Sequence, residues 1–108
     1  LLSRRQRQMC IRDSINSLPE AEKIDGYTVL QHMEKGEFDK ILFKRWEKKV
    51  YEVYFQKNNR VFYITVDKEN IYLLHSCRKQ KNKTEKKDAN IVRKRAKELG
   101  NMLGRKFI

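Results

Sequence analysis

Cysteine and histidine are scarce in this chain of 108 residues. Cys10 and Cys77 are too few and too isolated for a disulfide framework, and His32 and His75 do not complete a zinc-ligand set with them. No bound metal is expected, and the two thiols fit a reducing, cytoplasmic setting. No apolar run approaches the ~20 residues needed to span a bilayer, and no charged-then-apolar leader is visible, so no membrane partner is expected. Acidic residues are the other shortage. The chain has 14 Asp and Glu against 26 Lys and Arg, a formal net charge of +12. A polyanionic partner explains that excess more economically than solubility alone.

The positive charge is clustered. From Arg78 to Lys97 ten Lys and Arg are opposed only by Glu85 and Asp88, and a bound phosphate backbone would relieve their mutual repulsion. This stretch joins an apolar strand, Ile71 to His75, through the loop Arg78 to Thr84 to a basic amphipathic helix. Such a join sets cations and one histidine at the rim of a sheet.

Helical periodicity begins near Ser17-Leu18-Pro19-Glu20, which has a capping-box spacing and Pro in the first turn; Ile24, Tyr27, Leu30 and Met33 follow, with an end at Gly36. Gly26 predicts a kink or break. The segment Glu37 to Glu47 carries Phe38, Ile41, Leu42 and Trp46 at helix-compatible spacing, with a loop as the other reading. From Val50 the period becomes two. Val50 to Gln56, Arg60 to Val66 and Ile71 to Ser76, joined at Asn58-Asn59 and Asn70, predict a three-stranded antiparallel meander. Thr84 then caps a helix with the apolar stripe Ala89, Val92, Ala96, Leu99 and Leu103, and Arg105 to Ile108 form a short tail. The fold class is α+β: an antiparallel sheet of three strands, or of four if a first strand is lost from the amino end, with N-terminal helices and a C-terminal helix. The helices are expected on one face, leaving the other open for a ligand.

The first residues show no periodicity, and the chain is expected to be a fragment. Residues 1–16 are expected to be a non-native or disordered segment ahead of one domain at 17–108. The string Arg4 to Ser14 resembles the peptide made when sequencing-adaptor DNA is translated in frame; a basic RNA-binding arm is the rival reading.

Several spaced elements carry a further resemblance. Val50-Tyr51-Glu52-Val53, Arg60-Val61-Phe62-Tyr63, Leu74-His75-Ser76-Cys77-Arg78-Lys79, Lys83-Thr84 and Ile91 to Leu99 together resemble the HigB branch of the RelE toxin superfamily, the phage-derived toxins of type II toxin-antitoxin systems. The likeness spans Pro19 to Leu103. It implies a RelE-like domain that cuts messenger RNA on the ribosome and is held inactive by a helix-turn-helix antitoxin. Cleavage would be transphosphorylation: the ribose 2′-OH attacks the adjacent phosphate, the added negative charge is stabilised, and the 5′-oxygen leaves protonated. No cofactor is implied.

By the same resemblance Arg60, Lys79, Lys81 and Lys83 are the candidates for phosphate contact, with Arg78 and Arg95 as additions. Candidates for proton transfer are His75, whose ordinary pKa lies near neutrality, Tyr54 and Glu52. The family commonly places Arg or Lys where Glu52 and Tyr54 stand, an aromatic at Cys77, Lys at Gln80 and Pro at Glu85. A strand histidine can equally be a packing residue. Arg93, Lys94 and Lys97 offer an RNA-tracking helix face, or a solvated one. The alternative function is a non-catalytic RNA- or DNA-binding domain derived from this fold.

Overall fold

Alternation of apolar and polar residues from Val50 to Arg78 builds three strands of a four-stranded antiparallel sheet. The computed structural model describes residues 11–56, 58–67, 70–78 and 84–108. Strands β1 (Leu42–Glu47), β2 (Val50–Phe55), β3 (Asn59–Thr65) and β4 (Ile71–Arg78) lie in sequence order. Lys48 and Asn58 take positive φ in the β1–β2 and β2–β3 hairpin turns, at 52° and 63°, where asparagine is well tolerated and lysine less so.

Strand β3 is buried from Asn59 to Ile64, because both faces of the sheet are covered. One face receives residues 11–16 and helix α1 (Glu20–Glu34): Ile11, Ile15, Val29, Leu30 and Met33 pack on Val53, Val61, Tyr63 and Leu73. The other receives helix α2 (Lys86–Leu103), whose Val92, Ala96 and Leu99 pack on Val50, Phe62, Ile64 and Leu74. Burying each large apolar side chain is worth about 1.5–3 kcal/mol, so two such layers suffice for a small domain. The expected open face is therefore a correction. Amphipathic segments at the two ends of the chain cover opposite sides.

Several local expectations also change. Residues 37–47 form a short 3-10 helix, Phe38–Lys40, followed by β1, which supplies the strand expected to be lost from the amino end. The reason is pairing: Leu42 to Glu47 hydrogen-bond along β2, and that ladder overrides helix-compatible spacing. Helical structure is present from residue 11, ahead of Ser17, because Ile11 and Ile15 lie one helical step apart and both reach the core. Ser17 donates to the Ser14 carbonyl instead of capping α1, which starts after Pro19.

Gly26 does not break α1, which runs as one helix from Glu20 to Glu34. A Cβ there would lie 2.8 Å from Ile15 Cγ2 and 3.2 Å from Phe55 Cζ, so glycine lets the helix approach its neighbours closely. Helix α2 is capped at Glu85 without a side-chain bond, and the buried Thr84 hydroxyl has no partner among the described residues. After Gly104 (φ 64°) the chain turns back, so the expected tail is structural: Phe107 is 2 % exposed in the α2 core. Its carbonyl accepts from the Lys49 amide, and Arg105 Nη1 donates to the Val66 carbonyl at 2.8 Å. Leu103, expected in the apolar stripe, is largely outside it.

Phe107→Ala should therefore cost about 3–5 kcal/mol of folding stability in denaturant unfolding, the range for emptying an aromatic core position. Leu103→Ala should cost under about 1 kcal/mol. Equal losses would contradict the placement of the C-terminus.

Candidate active site

The sheet register decides which polar residues meet. Cross-strand partners in an antiparallel pair share a face, so the rows Leu42–Tyr54–Arg60–Cys77 and Lys44–Glu52–Phe62–His75 both lie on the α2 side. A register shift between Phe62 and Tyr63 against β4 marks a bulge at Leu74 and His75. It lets Leu74 enter the core while His75 faces the start of α2, in keeping with the way bulges re-aim side chains.

The first polar group is built on β1 to β3. Glu52 is fully buried, and its Oε1 lies 3.5 Å from Lys44 Nζ and 3.7 Å from Arg60 Nε. Arg60 is itself nearly buried; its Nη1 donates to the Asn59 carbonyl at 3.0 Å, and its guanidinium lies over the Tyr54 ring at 5.0 Å. Lys44 Nζ lies 5.9 Å from the same ring and has a half-exposed side chain. Tyr54 thus sits between two cations, with Glu52 as their buried counterion. Taking two ions out of water is costly, and mutual pairing offsets that cost.

The second group is built on β4 and α2. His75 Nε2 and Asp88 Oδ1 are 2.8 Å apart, both largely shielded from solvent. If Nε2 carries the proton and donates it to the carboxylate, Nδ1 is left as the ring's acceptor. Asp88 is in the first turn of α2, where the helix dipole also favours a carboxylate. The Cys77 sulfur lies beside this pair, with the ligand atoms of His75, Cys77 and Asp88 within 4.8 Å of one another.

The structure thus gathers Glu52, Tyr54, Arg60 and His75 on one sheet face. Burial leaves Glu52 to hold Arg60 and Lys44, since solvent does not reach it. Lys79, Lys81 and Lys83 lie outside the described residues. Arg78 is turned to the other side, where it and Asn59 Nδ2 both bond Glu22. Arg95 Nη1 donates to the Leu74 carbonyl at 2.6 Å and so supports the bulge. Arg93 pairs with Glu47 at 2.6 Å and stacks 5.3 Å from Trp46, tying α2 to β1. Lys94 and Lys97 are exposed on α2.

Two members escaped the sequence. Lys44 was hidden by the helical reading of 37–47, and Asp88 lies thirteen residues from His75 with no spacing rule to link them. Another depression lies elsewhere. A cleft of about 740 Å³ on the α1 face is lined by Leu30, Met33, Phe43, Tyr51 and Tyr63, and burial pushes the Tyr63 phenol well up from its ordinary pKa. Its lining is mainly apolar, with Arg12, Glu34, Lys35 and Asp67 as its charged residues, and Arg12 and Glu34 pair with each other, so it is a weaker candidate for chemistry.

A family model described as "phage derived protein Gp49-like" matches residues 13–97. No curated protein and no solved structure matches the chain.

Arg60→Met should destabilise the fold by about 3–5 kcal/mol, because it removes one counterion of a buried carboxylate. Adding Glu52→Gln should recover a good part of that loss in the same unfolding assay. Additive losses in this double-mutant cycle would show that the two side chains do not act as a pair.

Proposed function

Because the chain belongs to the family of phage-derived Gp49-like proteins, we propose that it is the toxin of a toxin-antitoxin pair, an endoribonuclease that cuts messenger RNA on the ribosome. The observation that carries the reading is the convergence of the His75–Asp88 pair with Arg60, Tyr54 and Lys44 on one sheet face. Transphosphorylation needs a base, a charge stabiliser and an acid, and this face holds one chemical type suited to each task. No membrane-crossing role competes with it among the described residues, since no helix there is long and apolar enough.

In this mechanism His75 Nδ1 accepts the ribose 2′-OH proton as the oxygen attacks the adjacent phosphorus. Asp88 holds the ring and balances the imidazolium that forms. Arg60 and Lys44 oppose the negative charge gathering on the phosphate oxygens, and the Tyr54 phenol between them donates a proton to the departing 5′-oxygen. Lys79, Lys81 and Lys83, on the strength of the RelE and HigB resemblance, add phosphate contacts. Lys94 and Lys97 bind RNA without taking part in the chemistry. The HigB-like branch, the ribosome as platform and a helix-turn-helix antitoxin as inhibitor belong to the same proposal.

Expression without an antitoxin should arrest growth, and message should be cut only when ribosomes are present. His75→Ala should lower the cleavage rate by about 10²–10⁴-fold, the usual range for losing a general base. Lys94→Ala should instead weaken binding and lower the salt slope by about 0.7, as for one phosphate contact to a single strand. Intact message with RNA binding retained would favour the non-catalytic nucleic-acid-binding alternative.

A further inference from the structure

The group at the junction of β4 and α2 has a composition that proton transfer alone does not use. His75 offers an imidazole nitrogen, Cys77 a sulfur and Asp88 a carboxylate oxygen, and these atoms lie within 4.8 Å of one another. We propose that His75, Cys77 and Asp88 form a binding site for a zinc-class divalent cation.

The placement comes from the fold and not from sequence proximity alone. His75 and Cys77 are two apart on β4, and their cross-strand partners Phe62 and Arg60 fix both on the α2 face. Asp88 reaches the same point from the first turn of α2, already aligned by its 2.8 Å contact with His75. Asp88 is buried and the other two are partly buried, so the donors are held by packing on two different elements and are not mobile surface groups.

Donor type selects the metal. Thiolate, imidazole and carboxylate together suit zinc, whereas magnesium and calcium prefer oxygen donors. Three protein ligands leave the fourth tetrahedral position open. Zinc-ligand bonds of about 2.0–2.3 Å put ligand atoms about 3.3–3.7 Å apart in a tetrahedron, so closing on an ion takes a contraction of about 1 Å at the widest separation and an opening of about 0.5 Å at the 2.8 Å His75–Asp88 contact. Binding requires loss of the Cys77 thiol proton to solvent and use of a neutral imidazole. Arg60, the cross-strand partner of Cys77, is an unfavourable charge offset by Glu52, and Arg95 is a second, held at the Leu74 carbonyl.

The site stands apart from the ribonuclease reading but meets it at His75. An imidazole nitrogen bound to a metal is not free to take a proton or to keep the same contact with Asp88. Metal binding and base catalysis would then exclude one another, a consequence that rests on that reading, whereas the binding site itself does not.

Cobalt(II) titration of the full chain tests the site directly, with Cys10→Ser introduced so that any thiolate signal comes from Cys77. The expected result is one saturable equivalent, a thiolate-to-cobalt charge-transfer band in the near ultraviolet, intense visible bands of a four-coordinate ion, and displacement by zinc. Adding Cys77→Ser should remove the charge-transfer band, and Asp88→Asn should weaken binding at least tenfold while keeping it. The spectrum of the Cys10→Ser chain does not depend on either further variant folding, and circular dichroism checks those two. Absence of the band at saturating cobalt, or a band that survives Cys77→Ser, would overturn the proposal.

Discussion

Burial of β3 on both faces is the constraint from which the other features follow. On a strand flanked by α1 on one side and α2 on the other an unsatisfied buried group costs about 1–3 kcal/mol, and Arg60 Nε, which makes no hydrogen bond among the described residues, is held by charge 3.7 Å from Glu52. Arg60 and Phe62 are neighbours on one face of that strand, yet one is a cation and the other the centre of a core. The sheet resolves the conflict by dividing the α2 face. Ile64, Phe62 and Leu74 lie beneath the helix, while Arg60, with Glu52 and Tyr54 across from it, forms a polar strip beside the helix start. Burial therefore fixes the cationic group with a rigidity that exposed lysines would lack, and rigidity is what electrostatic catalysis requires.

The bulge on β4 links that packing to chemistry. It gives β4 one more residue than β3 at this point, so Leu74 fills the core and His75 still reaches Asp88. Arg95 supports the same place by bonding the Leu74 carbonyl. A basic residue that looks in sequence like part of an RNA-binding face thus has a structural partner, as does Arg93 through Glu47 and Trp46. Net positive charge draws a polyanion toward the whole surface, but only cations placed against reacting atoms change a rate.

Much of this fold was legible in the sequence where one rule acted alone. Strands β2 to β4 follow from period-two runs of β-branched and aromatic residues, and α2 from a stripe at steps of three and four. Residues 42–47 were not legible. An edge strand need not alternate strictly, and Leu42 and Phe43 are both exposed, so helix-compatible spacing looked just as good. Phe107 was hidden because the signal for a helix end at Gly104 says nothing about where the chain goes next. In the candidate site His75, Arg60, Tyr54 and Glu52 came from sequence, through a family resemblance. Asp88 and Lys44 did not, because their partners are set by tertiary packing and strand register. The burial of Glu52 was equally invisible.

Under the proposed function the polar strip on the α2 face cleaves RNA through the ribose 2′-OH, with side chains as acid, base and charge stabiliser. The ends of the cleaved message test it most directly. Attack by the 2′-OH places the phosphate on the upstream fragment, as a 2′,3′-cyclic phosphate or its 3′-phosphate product, and leaves a 5′-hydroxyl on the downstream one. Those ends, from message cut by the purified protein on ribosomes, are the predicted result. A 3′-hydroxyl paired with a 5′-phosphate would mean that water attacked instead, and would contradict the account.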